Sequence, residues 1–196
     1  MDSLLRGGHE IGLHGWIHEV FSDLPRLTAR QYINDGLQVM ALRGVQPAGF
    51  RAPGGKIGPH GRQILAEAGF SYDSSVDTAM PQEVPSEIDA YSGDGLQRLP
   101  GGLIGIPWQW FMIDAVHYEL ARNGLRNPDD LVRFWTKVVR NVARANGFLT
   151  IICHAHVTGI DAERVSALET ILKLALDLGF DILPAEQAIR RTEHLT

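Results

Sequence analysis

The sequence predicts an α/β fold with a largely parallel sheet or barrel, and three observations carry that expectation. Segments of helical period alternate along the chain with short continuous apolar runs. Glycine, proline, serine or asparagine marks most of the boundaries between them. The 196 residues, 44% hydrophobic and 21% charged, have the make-up of one globular domain with a sizeable core, residues 1–196.

Taken in order, residues 28–44 read as a helix: Thr28 can cap, Gln31 completes a capping box, and Ile33, Leu37, Met40 and Ala41 form an apolar stripe. Residues 62–68 read as a shorter helix stopped by Gly69. Residues 127–146 give the strongest helical signal, with Asn127 as N-cap, Pro128 at the first position and Gly147 past the end. Its buried face is expected to hold Leu131, Phe134, Trp135, Val138 and Val142. Residues 161–178, ended by Gly179, and residues 184–192 complete the helices. Between them the runs 48–51, 70–74, 104–108, 148–153 and 180–183 read as strands. No internal repeat or low-complexity segment interrupts the pattern.

Composition narrows the functional classes. A net charge of −5 argues against phosphate-backbone binding, so nucleic acid is not an expected partner. No apolar run reaches the length of about 18 residues that a membrane span needs. The single cysteine, Cys153, cannot form an internal disulfide and is expected to pack as a small hydrophobe in the 148–153 run. Residues 1–6 are too short for a signal peptide. That favours the cytoplasm, with secretion the alternative if a longer start precedes Met1.

The feature richest in chemistry is His14-x-x-x-His18. On a helical turn this spacing puts two imidazoles on one face, where both can reach one divalent metal. Gly7, Gly8, Gly12 and Gly15 leave the backbone room to bend around the pair. It is not the zinc-protease helix motif, which has Glu after the first His where this chain has Gly15. Two solvated histidines are the plain alternative. His14, Arg51, Asp73 and His154 all fall near the ends of predicted strands, where α/β folds gather their chemistry.

These segments, in order, resemble the polysaccharide deacetylase family, metal-dependent enzymes that remove acyl groups from amino sugars on a distorted β/α barrel. The matching residues are Gly8-His9-Glu10-Ile11-Gly12-Leu13-His14 through His18, then Phe50-Arg51-Ala52-Pro53-Gly54. Gly69-Phe70-Ser71-Tyr72-Asp73-Ser74-Ser75 and the 149–153 run leading into His154 follow. The Pro107-Trp108 segment and the stretch from His154 to Gly159 look most like the peptidoglycan-deacetylase-like and allantoinase-like subgroup. The resemblance implies that His14 and His18 bind a metal, zinc first, with cobalt or nickel as alternatives. It implies hydrolysis of a non-peptide C–N amide bond, with an N-acetylated sugar as substrate or, within the same fold, a small cyclic or linear amide.

His154 matches the histidine that protonates the departing amine, a task suited to a group with an intrinsic pKa of about 6.5. A core histidine bonded to a carbonyl is the alternative. His156 would share its face if the strand continued. Arg51 matches an arginine that orients the catalytic carboxylate; an ordinary surface arginine is the alternative. Tyr72 and Asp73 are expected to line the substrate cleft, or to form a turn with the two serines. Trp108 and Trp110 are candidates for stacking on a sugar ring, or for core packing of one of them. His9, His60, His117 and His194 receive no role.

One departure from the family matters. Its first motif, a strand ending in paired aspartates that supply the third metal ligand and the general base, has no counterpart before His14, where the acids are Asp2 and Glu10. Three readings follow. The sequence is a piece of a longer active deacetylase; or a carboxylate such as Asp73 or Asp114, or one from a partner chain, completes the site; or the protein binds carbohydrate or a partner without catalysis. A missing strand would leave the barrel incomplete, with an edge open to pairing, so a homo-oligomer is one expected arrangement.

Overall fold

The computed structural model describes residues 2–193, with side-chain surroundings given for residues 3–191; His194 lies outside them. The chain divides into two compact units: Met1–Ala79, Leu96–Pro107 and Leu183–Thr196 in the first, Met80–Gly95 and Trp108–Ile182 in the second.

The first unit is built on a four-stranded sheet of very short strands. Strands β1 (Gly49–Phe50), β2 (Tyr72–Asp73), β3 (Gln97–Arg98) and β4 (Ile104–Gly105) lie in the order β1-β2-β4-β3. β1, β2 and β4 run parallel and β3 returns antiparallel on β4. Leu13 extends the ladder by an isolated parallel bridge to Phe50. The sheet is open, so the α/β architecture is that of an incomplete barrel. Phe50, Phe21, Ile33, Ile57, Ile64 and Leu65, each at most 2% exposed, form the core over which the helices pack.

Helices α1 (Asp2–Arg6), α2 (Arg26–Ala41) and α3 (Gly58–Glu67) belong to this unit, with α6 (Ala185–Glu193) from the C-terminal end. The α2 start departs from expectation. Pro25, not Thr28, stands at the N-cap, and its carbonyl accepts the Ala29 N–H at 2.9 Å. Thr28 therefore lies within the first turn, and Gln31 donates to Asp35 at 2.8 Å instead of closing a capping box. Ile33 is buried as expected, but Ala41 is exposed, and Gly36 takes its place on the packed face because Leu13 presses on it. α3 begins four residues before its expected start, since Pro59 initiates its first turn.

The second unit is dominated by α4 (Pro128–Arg144) packed on α5 (Ala162–Asp177). Asn127 caps α4 by accepting the Asp129 N–H, and Asp161 caps α5 by accepting those of Glu163 and Arg164. Leu131, Trp135, Val138 and Val142 are buried as expected; Val139 joins them and Phe134 is half-buried against His117. Two expected strands do not form. The 148–153 run contributes only isolated bridges, Asp94 to Phe148 and Ile113 to Ile152, and 180–183 carries no strand. Cys153 is exposed, a correction to its expected burial.

His117, on a π-helical turn spanning Val116–Leu120, is fully buried. Its Nε2–H donates to the Phe111 carbonyl at 2.8 Å, while Nδ1 has no partner among the described residues. Burial holds this imidazole below its ordinary pKa of 6.5. A lowered folded-state value means that the unfolded chain binds more protons once pH falls below about 6.5. Stability is therefore lost on acidification through that window and restored above it. Thermal melts from pH 5 to 8 should show a shallower acid slope for His117→Gln than for the wild type. Identical slopes would remove His117 from the acid response.

Candidate active site

The His14–His18 segment is not helical, which corrects the expected helical turn. Leu13 leaves the sheet edge with its N–H on the Gly49 carbonyl at 2.9 Å and its carbonyl accepting the Arg51 N–H at 3.1 Å. The chain then folds back through two left-handed residues, Gly15 at φ 73° and His18 at φ 60°. This irregular turn still brings the imidazoles together, with ring centroids 5.1 Å apart in an edge-on arrangement. Both side chains are exposed. His14 Nδ1 lies 2.7 Å from the Arg51 carbonyl. A carbonyl only accepts, so Nδ1 carries the proton and Nε2 holds the lone pair, the tautomer that a metal ligand needs.

Arg51, half-buried at the end of β1, sends its guanidinium to Ser74, with Nε on the carbonyl at 3.2 Å and a terminal nitrogen on Oγ at 2.9 Å. Burial lowers its pKa, opposed by the nearby Tyr72 and Asp73. Through its carbonyl Arg51 also orients His14, a link that residue types alone could not reveal. Asp73 is fully buried; it receives Arg62 Nε at 3.0 Å and the Ser75 N–H at 3.0 Å. Burial raises its pKa, with Ser75 and Arg62 acting the other way. Tyr72, 7% exposed, donates its hydroxyl to Glu10 at 2.6 Å. Burial, reinforced by Glu10, pushes the phenol pKa up. The other oxygen of Glu10 accepts the Glu186 N–H at 2.9 Å, at the start of α6.

In the second unit His154 faces Asp114. The imidazole Nδ1 lies 2.6 Å from one carboxylate oxygen, and the His154 N–H and Thr158 hydroxyl reach the other at 2.7 Å each. Asp114 is fully buried, so its charge is met by these donors and not by water. The carboxylate fixes the proton on Nδ1 and leaves Nε2 as the working nitrogen. The sequence offers Asp114 only as one of two carboxylates that could complete the site, not as the partner of His154. The one sequence signal for its role is that it ends the apolar stretch 110–113, as His154 ends 148–153. The chain turns after His154, so His156 does not continue a strand, although its ring lies 5.4 Å from that of His154. Trp108 is buried at 4% exposure and packs in the core, edge-on to a half-buried Trp110. Trp16, on the turn between the two histidines, is 42% exposed.

The His14–His18 pair supplies two ligands suited to a divalent metal: two imidazoles, one with its tautomer set by a backbone carbonyl. Catalytic zinc ordinarily takes three protein ligands. Among the described residues no cluster of three or more His, Cys, Asp and Glu side chains is positioned around one point. In the same unit Asp73 and Glu10 are committed to Arg62 and Tyr72.

Residues 1–72 match the family model for polysaccharide deacetylase. The peptidoglycan deacetylase-like protein FGM2 of Gibberella zeae is 25% identical over 152 residues, 68% of this chain and 45% of that protein. The chain thus spans less than half the length of this curated relative. Among solved structures, a Mycobacterium smegmatis chain assigned to the polysaccharide deacetylases superposes with a TM-score of 0.75 at 26% identity, over 99% of this chain and 67% of the other. The allantoinase PuuE matches in fold, with a TM-score of 0.70 at 20% identity over 89% of this chain and 55% of its own. No helix among the described residues is long and apolar enough to cross a membrane. Residues 1–72 are thus similar in sequence to the polysaccharide deacetylases, and the fold resembles that of a solved member over nearly the whole chain.

Proposed function

We propose that this protein takes part in metal-assisted hydrolysis of a non-peptide amide, with the N-acetyl group of an amino sugar as the bond cleaved. The observation that carries the reading is the paired His14 and His18, the first held by the Arg51 carbonyl in the tautomer that leaves Nε2 able to bind a metal. His14 and His18 would hold the ion, zinc first and cobalt or nickel as alternatives. When bound, it supplies Lewis acidity toward the amide carbonyl. His154, with its Nδ1–H held by Asp114, would take up on Nε2 the proton released by the attacking water and pass it to the leaving amine. The exposed indole of Trp16 offers an apolar face to a sugar ring, which the buried Trp108 does not.

The test is metal content and acetate release on N-acetylated chitin and peptidoglycan oligosaccharides, with zinc or cobalt added. The wild type should carry metal, and His14→Ala should lose most of it, with acetate release falling at least ~100-fold if the metal drives the chemistry. Unchanged metal content in His14→Ala would remove the metal assignment. A second reading, carbohydrate binding without catalysis, is favoured by one observation: Asp73 and Glu10 are committed to Arg62 and Tyr72. Oligosaccharide binding with no acetate released by metal-loaded protein would establish it.

A further inference from the structure

The residue that follows the second imidazole, Glu19, is turned back into the histidine turn. One of its oxygens accepts the N–H groups of Ile17 at 2.9 Å and Trp16 at 3.1 Å; the other lies 3.3 Å from the Trp16 nitrogen. These are the amides at the middle of an irregular turn, with no helix or strand ladder to take them. A carboxylate receiving two N–H groups is among the stronger hydrogen-bonded arrangements available to a loop.

Two further features show that the turn is shaped around this carboxylate. A Cβ at Gly15 would sit 2.9 Å from Glu19 Oε1 and 2.9 Å from Pro53 Cγ, so the glycine is what lets both approach. Pro53 lies two residues after Arg51, whose carbonyl holds His14, so one side of the turn is wedged by that loop and the other by Glu19. His18 itself sits at φ 60°, a conformation that a residue with a Cβ keeps only when its surroundings impose it. Without the bracing carboxylate, His18 is free to relax to negative φ and swing its ring away from His14.

We infer that Glu19 is a positioning residue for the histidine pair: by tying down the Trp16 and Ile17 amides it holds His18 in its left-handed conformation and so sets the geometry in which the two imidazoles share a metal. The inference rests on the metal reading above. The experiment compares Co²⁺ binding, by calorimetry and by the visible absorption of the bound ion, in the full chain and in Glu19→Ala, Glu19→Gln and His14→Ala. Circular-dichroism melts of the metal-free proteins check the fold.

Glu19→Ala should bind Co²⁺ on the order of 10-fold or more weakly with an altered visible spectrum, the range seen when an outer-shell support of a metal site is removed. Glu19→Gln keeps one carbonyl oxygen for the two amides and should stay within about 3-fold of the wild type, with its spectrum. If Glu19→Ala does not fold, Glu19→Asp, one methylene too short to reach both amides, takes its place with the same expected loss. Wild-type affinity in Glu19→Ala alongside lost binding in His14→Ala would overturn the positioning role and leave the metal site standing. A Glu19→Gln as weak as Glu19→Ala would overturn it too, by making the carboxylate itself a ligand. Undiminished binding in His14→Ala would remove the metal reading and the role of Glu19 together.

Discussion

Asp114→Asn is expected to lower both stability and the proposed activity sharply. Four donors converge on this fully buried carboxylate: the backbone N–H groups of Ala115 and His154, the His154 Nδ1–H and the Thr158 hydroxyl, all at 2.6–2.7 Å. Asparagine offers one acceptor oxygen and turns an NH₂ toward the remaining donors, leaving buried polar groups facing each other unpaired. Each such group costs about 1–3 kcal/mol, so a total of about 3 kcal/mol is expected. For a chain of this size that corresponds to a fall in Tm of roughly 6–12 °C. Where the amide NH₂ faces Nδ1, the ring proton moves to Nε2, and that nitrogen loses the lone pair with which it takes up the proton it then passes on. Activity supported by His154 as acid should then fall about 10²–10⁴-fold. Adding His154→Ala to Asp114→Asn should cost little further activity, since both act through one proton; independent, additive losses would separate the two residues.

The second large effect is expected at Gly49→Ala. Gly49 lies in β1 in register with Tyr72 of β2, and a Cβ there would sit 1.8 Å from Tyr72 Cζ and 2.1 Å and 2.2 Å from two further ring carbons. The ring cannot move aside cheaply, because it is buried and its hydroxyl is tied to Glu10. Either the strands separate or Tyr72 leaves its place and gives up that hydrogen bond. A loss of about 3 kcal/mol, the upper end for overpacking, is expected in urea unfolding. Tyr72→Ala should rescue part of it in the double variant. A Gly49→Ala protein as stable as the wild type would show that the ring does not press on this strand.

How much of this was legible in the sequence depends on the range of the interactions involved. The cap at Asn127 was readable to the residue, because a cap is a side chain bonding to amides two or three positions away. The start of α2 was not, since Thr28 and Gln31 imitate a capping box while Pro25 supplies the first carbonyl. Spacing identified the His14–His18 pair but misjudged its backbone: a helical turn and a turn through left-handed His18 both bring positions four apart together. Nothing in a histidine announces a positive φ. Asp114 lies 40 residues from His154, and Glu10 lies 62 from Tyr72, distances at which only the fold decides the partner. The runs 148–153 and 180–183 were apolar enough for strands, but a strand also needs a neighbour to pair with, and residue type does not specify one.

The bond from Glu186 N–H to Glu10 joins positions 176 residues apart. During synthesis at roughly 5–20 residues per second, Glu10 waits about 9–35 s for that partner to be made. The segment leading into His14 is thus fastened at one of its anchor points only after α6 has been made. Until then a nascent chain carries a histidine turn whose support from α6 has yet to emerge from the ribosome.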